Sequence, residues 1–283
     1  MITKFPLRHK PKTEETDFFR KYGYLYVEDF YDYETEIHPI RENIFRLIGM
    51  ISEQKGVSVA HRRFDEEDFD QGLSCLIRDF RPSVGTLYDA VKKLPNYIRL
   101  AASSKHDSYA RLLLGSDFVG FANRGYGIRM DNPGEDHYRT QLHQDYVSQL
   151  CSQNSIVFWS PLRDVVADMG PLVFYPESHR SGVFPILKIG GGSQGLVIDG
   201  AESVVSQFPR LNPEVPAGDC ILMHALLLHE SGLNRSTRTR WSMISRYFDF
   251  TDATGRSINW KGGLQEGHAF ETVHPELTRC ENA

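Results

Sequence analysis

His143-Gln144-Asp145, taken with His229 and Arg240 farther along the chain, brings together residue types that could do metal chemistry. Two imidazoles and one carboxylate can occupy one face of an Fe(II) octahedron and leave three positions open, the ligand set of non-heme iron oxygenases. On a strand, residues i and i+2 point to the same side, so His143 and Asp145 reach one metal without a special turn while Gln144 points away. The third ligand has to come from another element. His224 and His229 compete for that place, and a separation of five residues would put them on opposite faces of a regular strand, so only one of them readily faces the metal. A cation beyond them, Arg240, can sit deeper in the same barrel and take a carboxylate in a two-pronged grip.

An H-x-D tripeptide alone recurs by chance, and its surroundings carry the argument. The runs Ile156-Val157-Phe158-Trp159-Ser160-Pro161-Leu162, Gly170-Pro171-Leu172-Val173-Phe174-Tyr175-Pro176-Glu177-Ser178-His179, Gly218-Asp219-Cys220-Ile221-Leu222-Met223-His224 and Leu228-His229-Glu230-Ser231-Gly232-Leu233-Asn234-Arg235-Ser236 follow one another in an order that resembles the phytanoyl-CoA dioxygenase family. The resemblance covers roughly residues 120 to 250, with a fainter echo in Phe18–Phe30.

That resemblance implies a mainly β fold, a double-stranded β-helix (jelly roll, cupin-like) with N-terminal helices packed on it. It also implies Fe(II), 2-oxoglutarate and O2, with the co-substrate decarboxylated to succinate and CO2 as a C–H bond of a small metabolite is hydroxylated. It assigns the distal metal position to His229, the distal carboxylate of 2-oxoglutarate to Arg240, and a hydrogen bond to that carboxylate to Ser231. Related halogenases have a small residue where Asp145 stands, so its presence favours hydroxylation. One departure is plain. The family's Pro-Gly-Ser-His is Pro176-Glu177-Ser178-His179 here, so this loop need not adopt a conformation that requires glycine.

Other residues take lesser roles. Gln141 shares the face of His143 and Asp145 and, with Tyr126 and Arg129 on the preceding strand, is a candidate for touching substrate. Trp159 either flanks the pocket or belongs to the core. His224 reads as a histidine held by supporting hydrogen bonds, and His179 as a support for its loop. In Arg240–Phe248 the even-numbered residues share a face, and Arg240, Ser242 and Arg246 there would be costly in a dry interior unless anions meet them. Arg246 is expected to form a structural ion pair, and Arg235 and Arg238 to be solvated.

These residues need a scaffold, and the pattern supplies one domain over 1–283: a mostly helical part over 1–115, a jelly-roll core over 116–250 and a C-terminal extension over 251–283. Ile37, Ile40, Ile44, Leu47, Ile48 and Ile51 recur at helical spacing behind Asp32 as a cap, and a second helical region runs from Ser83 to Leu114 with a break near Pro95. The acidic run Asp65–Asp70 reads as a solvated loop or helix start. Strands begin near Phe118–Phe121 and Tyr126–Met130, and the glycine-rich stretch 188–200 reads as a mobile lid or plain loop between core strands.

At 283 residues, 40% hydrophobic and 24% charged, the chain has the composition of an ordinary soluble domain. A net charge of −5 favours neither nucleic acid nor an anionic membrane as partner; the partner expected is a small-molecule substrate, and oligomeric state is not legible. Cys75, Cys151, Cys220 and Cys280 are widely spaced, with no C-x-x-C pair, and read as free thiols. No signal-like or membrane-length apolar run appears, so the cytoplasm is the default expectation. Two other functions keep the same ligand set: a non-catalytic jelly-roll sensor that binds metal and 2-oxoglutarate, and a cupin-like metal-dependent isomerase or hydrolase, against which Arg240 argues. The substrate itself is not written in these motifs.

Overall fold

The isoleucine spacing over residues 37–51 becomes the buried face of a helix, His38–Gln54, in a computed structural model that describes residues 2–58, 63–122, 125–188, 196–263 and 266–280. In chain order the elements are β1 (Lys4–Pro6), α1 (Thr13–Tyr22), β2 (Tyr24–Glu28), α2 (His38–Gln54), α3 (Leu73–Asp79), α4 (Arg81–Val91), α5 (Pro95–Ala101), α6 (Ser104–Leu114), β3 (Val119–Phe121), β4 (Gly127–Asp131), α7 (Asp145–Gln149), β5 (Ser155–Pro161) and β6 (Leu172–Phe174). They continue with β7 (Ile186–Lys188), β8 (Leu196–Ile198), α8 (Ala201–Val205), β9 (Cys220–His224), β10 (His229–Ser231), β11 (Arg240–Asp249), α9 (Ala253–Ser257), α10 (Phe270–Val273) and β12 (Thr278–Cys280). Asp32 caps not α2 itself but the π-helical turn before it, accepting from the Thr35 amide at 2.8 Å. The expected break near Pro95 is real, because Pro95 opens α5, where its missing N–H is not needed.

The large sheet runs β1-β2-β9-β5-β11, and β3 and β4 both pair with the far edge of β11. Strand β11 organises the site. Its odd residues Trp241, Met243 and Tyr247 join Ile156, Phe158, Leu222 and the helices in one apolar cluster, while Val157, Trp159 and Ile221 face the other way into a second cluster inside the roll. Burying side chains of this size stabilises by about 1.5–3 kcal/mol each, so a charge at Phe158 would break the helix-to-sheet contact. The facing layer is made of short pieces: β6 with β10, single bridges His143–His229, Val165–Val215 and Phe174–Leu211, and a three-stranded sheet β12-β7-β8.

The N-terminal part is mostly helical and also adds strand, since β1 and β2 extend the large sheet, with Tyr24–Val27 against β9. One expectation needs correction. The acidic run is not simply solvated, because Asp70 is buried, accepts from Arg163 at 3.0 and 3.2 Å and from the Trp241 indole at 2.8 Å, and so ties the run to the core. Of the stretch 188–200, residues 189–195 lie outside the described residues; Lys188 ends β7 and Leu196 begins β8. Cys75, Cys151 and Cys220 are free thiols. No helix among the described residues is long and apolar enough to cross a membrane.

Candidate metal centre and cavity

The regular strand expected through His143 and Asp145 is absent. Extended backbone at Gln144 (φ −112°, ψ 134°) is enough to keep residues 143 and 145 on one side, and Asp145 then opens the short helix α7, where an acid suits the first turn. His143 and His229 exchange both backbone hydrogen bonds, at 3.0 and 3.1 Å, and this antiparallel pairing sets their rings side by side with centroids 4.1 Å apart. His143 Nε2 lies 3.8 Å from Asp145 Oδ1 and His229 Nε2 lies 3.4 Å from Asp145 Oδ2. One ligand atom from each of the three falls within 4.8 Å of the others.

Each imidazole is turned by its Nδ1. His143 Nδ1 lies 2.9 Å from the Gln141 carbonyl, and His229 Nδ1 lies 2.9 Å from the Leu227 carbonyl; a proton on each Nδ1 leaves the Nε2 lone pairs directed at the cluster. Burial, and secondarily the neighbouring His229, push the His143 imidazole down to about 3, so it is a neutral donor near pH 7. Burial alone would raise the Asp145 carboxyl, but Arg246 and the two imidazoles outweigh it and hold that group below the usual carboxylate range. Asp145 Oδ2 is buried with no hydrogen-bond partner. An unpartnered anionic oxygen gathered with two imidazole nitrogens is the donor set a divalent cation of the first transition series takes.

Arg240 is almost fully buried. It donates to Ser231 Oγ at 2.8 Å, to the Gly170 carbonyl, and lies 2.9 Å from Asp131 Oδ2. Gly170 has φ +66°, and a Cβ there would meet the Gly232 carbonyl oxygen at 2.4 Å, so glycine is required for this loop to come close enough to hold Arg240. Arg240 Nε and Ser242 Oγ, on the same inward face of β11, are buried without partners. These unpartnered groups fit a second carboxylate such as the distal one of 2-oxoglutarate.

Beside the cluster lies a cavity of about 700 Å³, lined by His143, Asp145 and Arg246 and, among the residues expected to touch substrate, by Tyr126, Arg129 and Gln141. Trp159 is not on that wall; it packs in the inner apolar cluster, the core alternative the sequence left open. His224 is turned away as well, its ring tilted against that of His179 with centroids 5.3 Å apart and its Nδ1 accepting from the Leu226 amide at 3.2 Å. The loop at Glu177 contradicts its expectation, since Glu177 adopts φ +71°, the left-handed conformation that glycine would hold more cheaply. Arg246 was expected to make an ion pair, but its partner was not foreseen: it is Asp145, at 2.8 Å. Sequence reasoning does not find Asp131, because it meets Arg240 only through the β4–β11 register.

A family model described as phytanoyl-CoA dioxygenase matches residues 19–242. The chain belongs to the phytanoyl-CoA dioxygenase family. A phytanoyl-CoA dioxygenase of Arabidopsis thaliana is 24% identical over 275 residues, covering 87% of this chain and 92% of that one. The peroxisomal phytanoyl-CoA dioxygenase of Mus musculus is 28% identical over 155 residues, 52% of this chain and 45% of that protein. The chain thus matches less than half the length of the animal relatives of this family. Among solved structures the fold is similar to the epimerase SnoN in complex with Fe3+, alpha ketoglutarate and nogalamycin RO, at TM-score 0.56 and 19% identity, with 87% of each chain covered. In this phytanoyl-CoA dioxygenase family member the jelly roll therefore carries the His-Asp-His cluster beside its cavity.

Proposed function

We propose that this chain is an Fe(II)- and 2-oxoglutarate-dependent dioxygenase that hydroxylates a C–H bond of a small metabolite. The observation that carries the reading is the meeting of His143, Asp145 and His229, with His143 and Asp145 on the wall of the cavity and Asp145 Oδ2 unpartnered 3.4 Å from His229 Nε2. Those three side chains would hold the metal, and Arg240 with Ser231 would hold the distal carboxylate of the co-substrate. When bound, Fe(II) with 2-oxoglutarate and O2 supplies the oxidising chemistry, leaving succinate and CO2 as co-products.

The residues of this chain then position and shelter. Hydrogen bonds to the Gln141 and Leu227 carbonyls fix both imidazoles, and Arg246 fixes the carboxylate, so the metal site needs little rearrangement on loading. Leu142, Val147 and Ile244 give the cavity an apolar wall beside Asp145, which limits water near the reacting carbon. Tyr126, Arg129 and Gln141 line the space a substrate would fill and decide which C–H bond is presented.

Anaerobic addition of Fe(II) and 2-oxoglutarate to the metal-stripped protein is expected to give the visible charge-transfer absorption of a 2-oxo acid chelated to Fe(II). Admission of O2 with a panel of metabolites is expected to give succinate and a product one oxygen atom heavier. A product two hydrogens lighter means another oxidative outcome on the same site, and one of unchanged mass means isomerisation. Absorption without succinate from any candidate points to a sensor, and no absorption at all sinks the reading.

A further inference from the structure

The chain carries a net charge of −5, yet the cavity wall away from the metal cluster is cationic. Arg129 comes from β4, and Lys92 and Lys93 directly follow α4; the one acid among the described lining residues outside the cluster, Asp89, is 71% exposed and sits 3.4 Å from Lys92. Asp145 and Arg246 pair with each other, so the acids near the three cations are Asp89, exposed beside Lys92, and the buried Asp131 behind Arg129, which Arg240 shares. We infer that the substrate of this site carries an oxyanion, a carboxylate or a phosphate, and that Arg129 receives it, with Lys92 and Lys93 drawing it in at the rim. The inference rests on the oxygenase reading and names the substrate class for that site.

Arg129 differs from a floppy surface cation. Its Nη2 donates to Asp131 Oδ1 at 3.1 Å, and the other oxygen of Asp131 lies 2.9 Å from Arg240, so the guanidinium is braced from behind by a buried carboxylate. Asp131 is its only side-chain partner among the described residues, and the side chain keeps 28% of its surface exposed, on the cavity. A planar fork held in this way suits the two oxygens of a carboxylate or phosphate. Lys92 is held too, its ammonium 3.5 Å from the centre of the Tyr88 ring, which also lines the cavity. Cations concentrated in a cleft with a low-dielectric wall raise the local concentration of an anion and speed its capture. Arg240, Ser231 and Ser242 lie deeper, off this wall, which separates the place for the co-substrate from the place for the substrate anion.

The test titrates butyrate, inorganic phosphate and, as the neutral control, butyramide into protein holding Fe(II) and one equivalent of 2-oxoglutarate without O2, read by calorimetry and by the charge-transfer absorption. The expected result is that at least one oxyanion binds and perturbs the absorption while butyramide does not, and which one binds tells carboxylate from phosphate. Arg129→Met is expected to weaken that binding at least ~10-fold, the loss of about one charge-assisted contact, with the affinity for 2-oxoglutarate unchanged. Arg129→Lys, which keeps the charge and loses the fork, is expected to fall between, and it guards against a fold defect in the Met variant. Oxyanions that do not bind, or that bind Arg129→Met as they bind wild type, overturn the inference; so does a loss of 2-oxoglutarate affinity in Arg129→Met, which would make Arg129 a co-substrate residue. Should the wild type give no charge-transfer absorption, the oxygenase reading fails instead, and the same titrations on the metal-free protein still decide whether Arg129 binds an oxyanion.

Discussion

Arg246 aims both Nε and Nη2 at a single oxygen of Asp145, Oδ1, at 3.2 and 2.8 Å. Its Nη1 is anchored in turn by the Gly125 carbonyl at 2.9 Å. One carboxylate oxygen is thereby capped by a guanidinium, and the other, buried and unpartnered, is left to face His229. The arrangement presents the carboxylate through one oxygen and in one orientation, which is what a facial set with open positions requires.

Arg246→Met should therefore weaken metal binding by about 10–100-fold, the usual loss when a residue that orients a ligand is removed. Titration of the metal-stripped variant with Fe(II) under anaerobic conditions, beside wild type, reads this directly. Arg246→Lys should recover part of the loss, because it restores charge without the two-bond grip. Wild-type affinity in Arg246→Met would mean that Asp145 is held by its helix turn alone.

Arg240→Ala should leave Fe(II) binding in place and raise the dissociation constant of 2-oxoglutarate. Loss of a buried, hydrogen-bonded charge contact costs about 2–5 kcal/mol, which is a ~30- to several-thousand-fold rise. The variant should also unfold more easily, since among the described residues Asp131 would keep only Arg129 as an ion-pair partner. Separate titrations of metal and co-substrate distinguish these effects, and unchanged 2-oxoglutarate affinity would remove Arg240 from the site.

Much of this site was legible because it depends on residue type and local spacing. His143 and Asp145 are neighbours in an extended stretch, and the parity of β11 put Arg240, Ser242 and Arg246 on one inward face before any fold was known. What could not be read were partners set by tertiary register. Asp131 meets Arg240 only because β4 lies against β11, Asp70 meets Arg163 and Trp241 across the sheet-to-helix boundary, and Lys92 reaches the cavity from a helix whose sequence reads only as cover. The strand expected at His143 also failed for a local reason: a single bridge to His229 fixes the geometry, and the chain is free to turn into α7 at once.

Glu177 offers a stability test at a position without a ligand role. Its left-handed backbone, φ +71°, costs a non-glycine residue about 1–2 kcal/mol, while glycine brings an entropic penalty of roughly 0.5–1 kcal/mol from the unfolded chain. Glu177→Gly should thus be stabilising by up to about 1 kcal/mol, and Glu177→Val, whose branched side chain tolerates this region worst, should destabilise by more than about 1 kcal/mol. Urea unfolding midpoints with unchanged slope give both numbers. A Glu177→Gly protein clearly weaker than wild type would show that the loop does not hold this conformation in solution.

Acid should destabilise the fold through histidines that are buried neutral and take no part in the metal cluster. Burial, with a smaller contribution from Lys105, pushes His106 down to about 3, and burial with His179 does the same to His224. His106 sits between the Tyr31 hydroxyl at 2.7 Å and the Ser103 hydroxyl at 2.8 Å, and among the described residues no acid bonds to it to stabilise a proton. Above an ordinary histidine value of about 6.5 neither the folded nor the unfolded state binds a proton at these sites, and stability is at its full value. Between about 6.5 and 3 the unfolded chain binds the proton and the folded one does not, so stability falls with pH by about 1.4 kcal/mol per unit for each histidine. From about pH 7.5 to pH 5 the loss is then roughly 2 kcal/mol for each. The check is urea unfolding of the metal-free protein at both values, for wild type and for His106→Gln, whose side chain does not titrate. The variant should be weaker at neutral pH, because a packed ring and two hydrogen bonds are disturbed, but its stability difference between the two pH values should shrink by about 2 kcal/mol. An unchanged difference would mean that His106 is protonated within the fold, and so is not buried as it stands here.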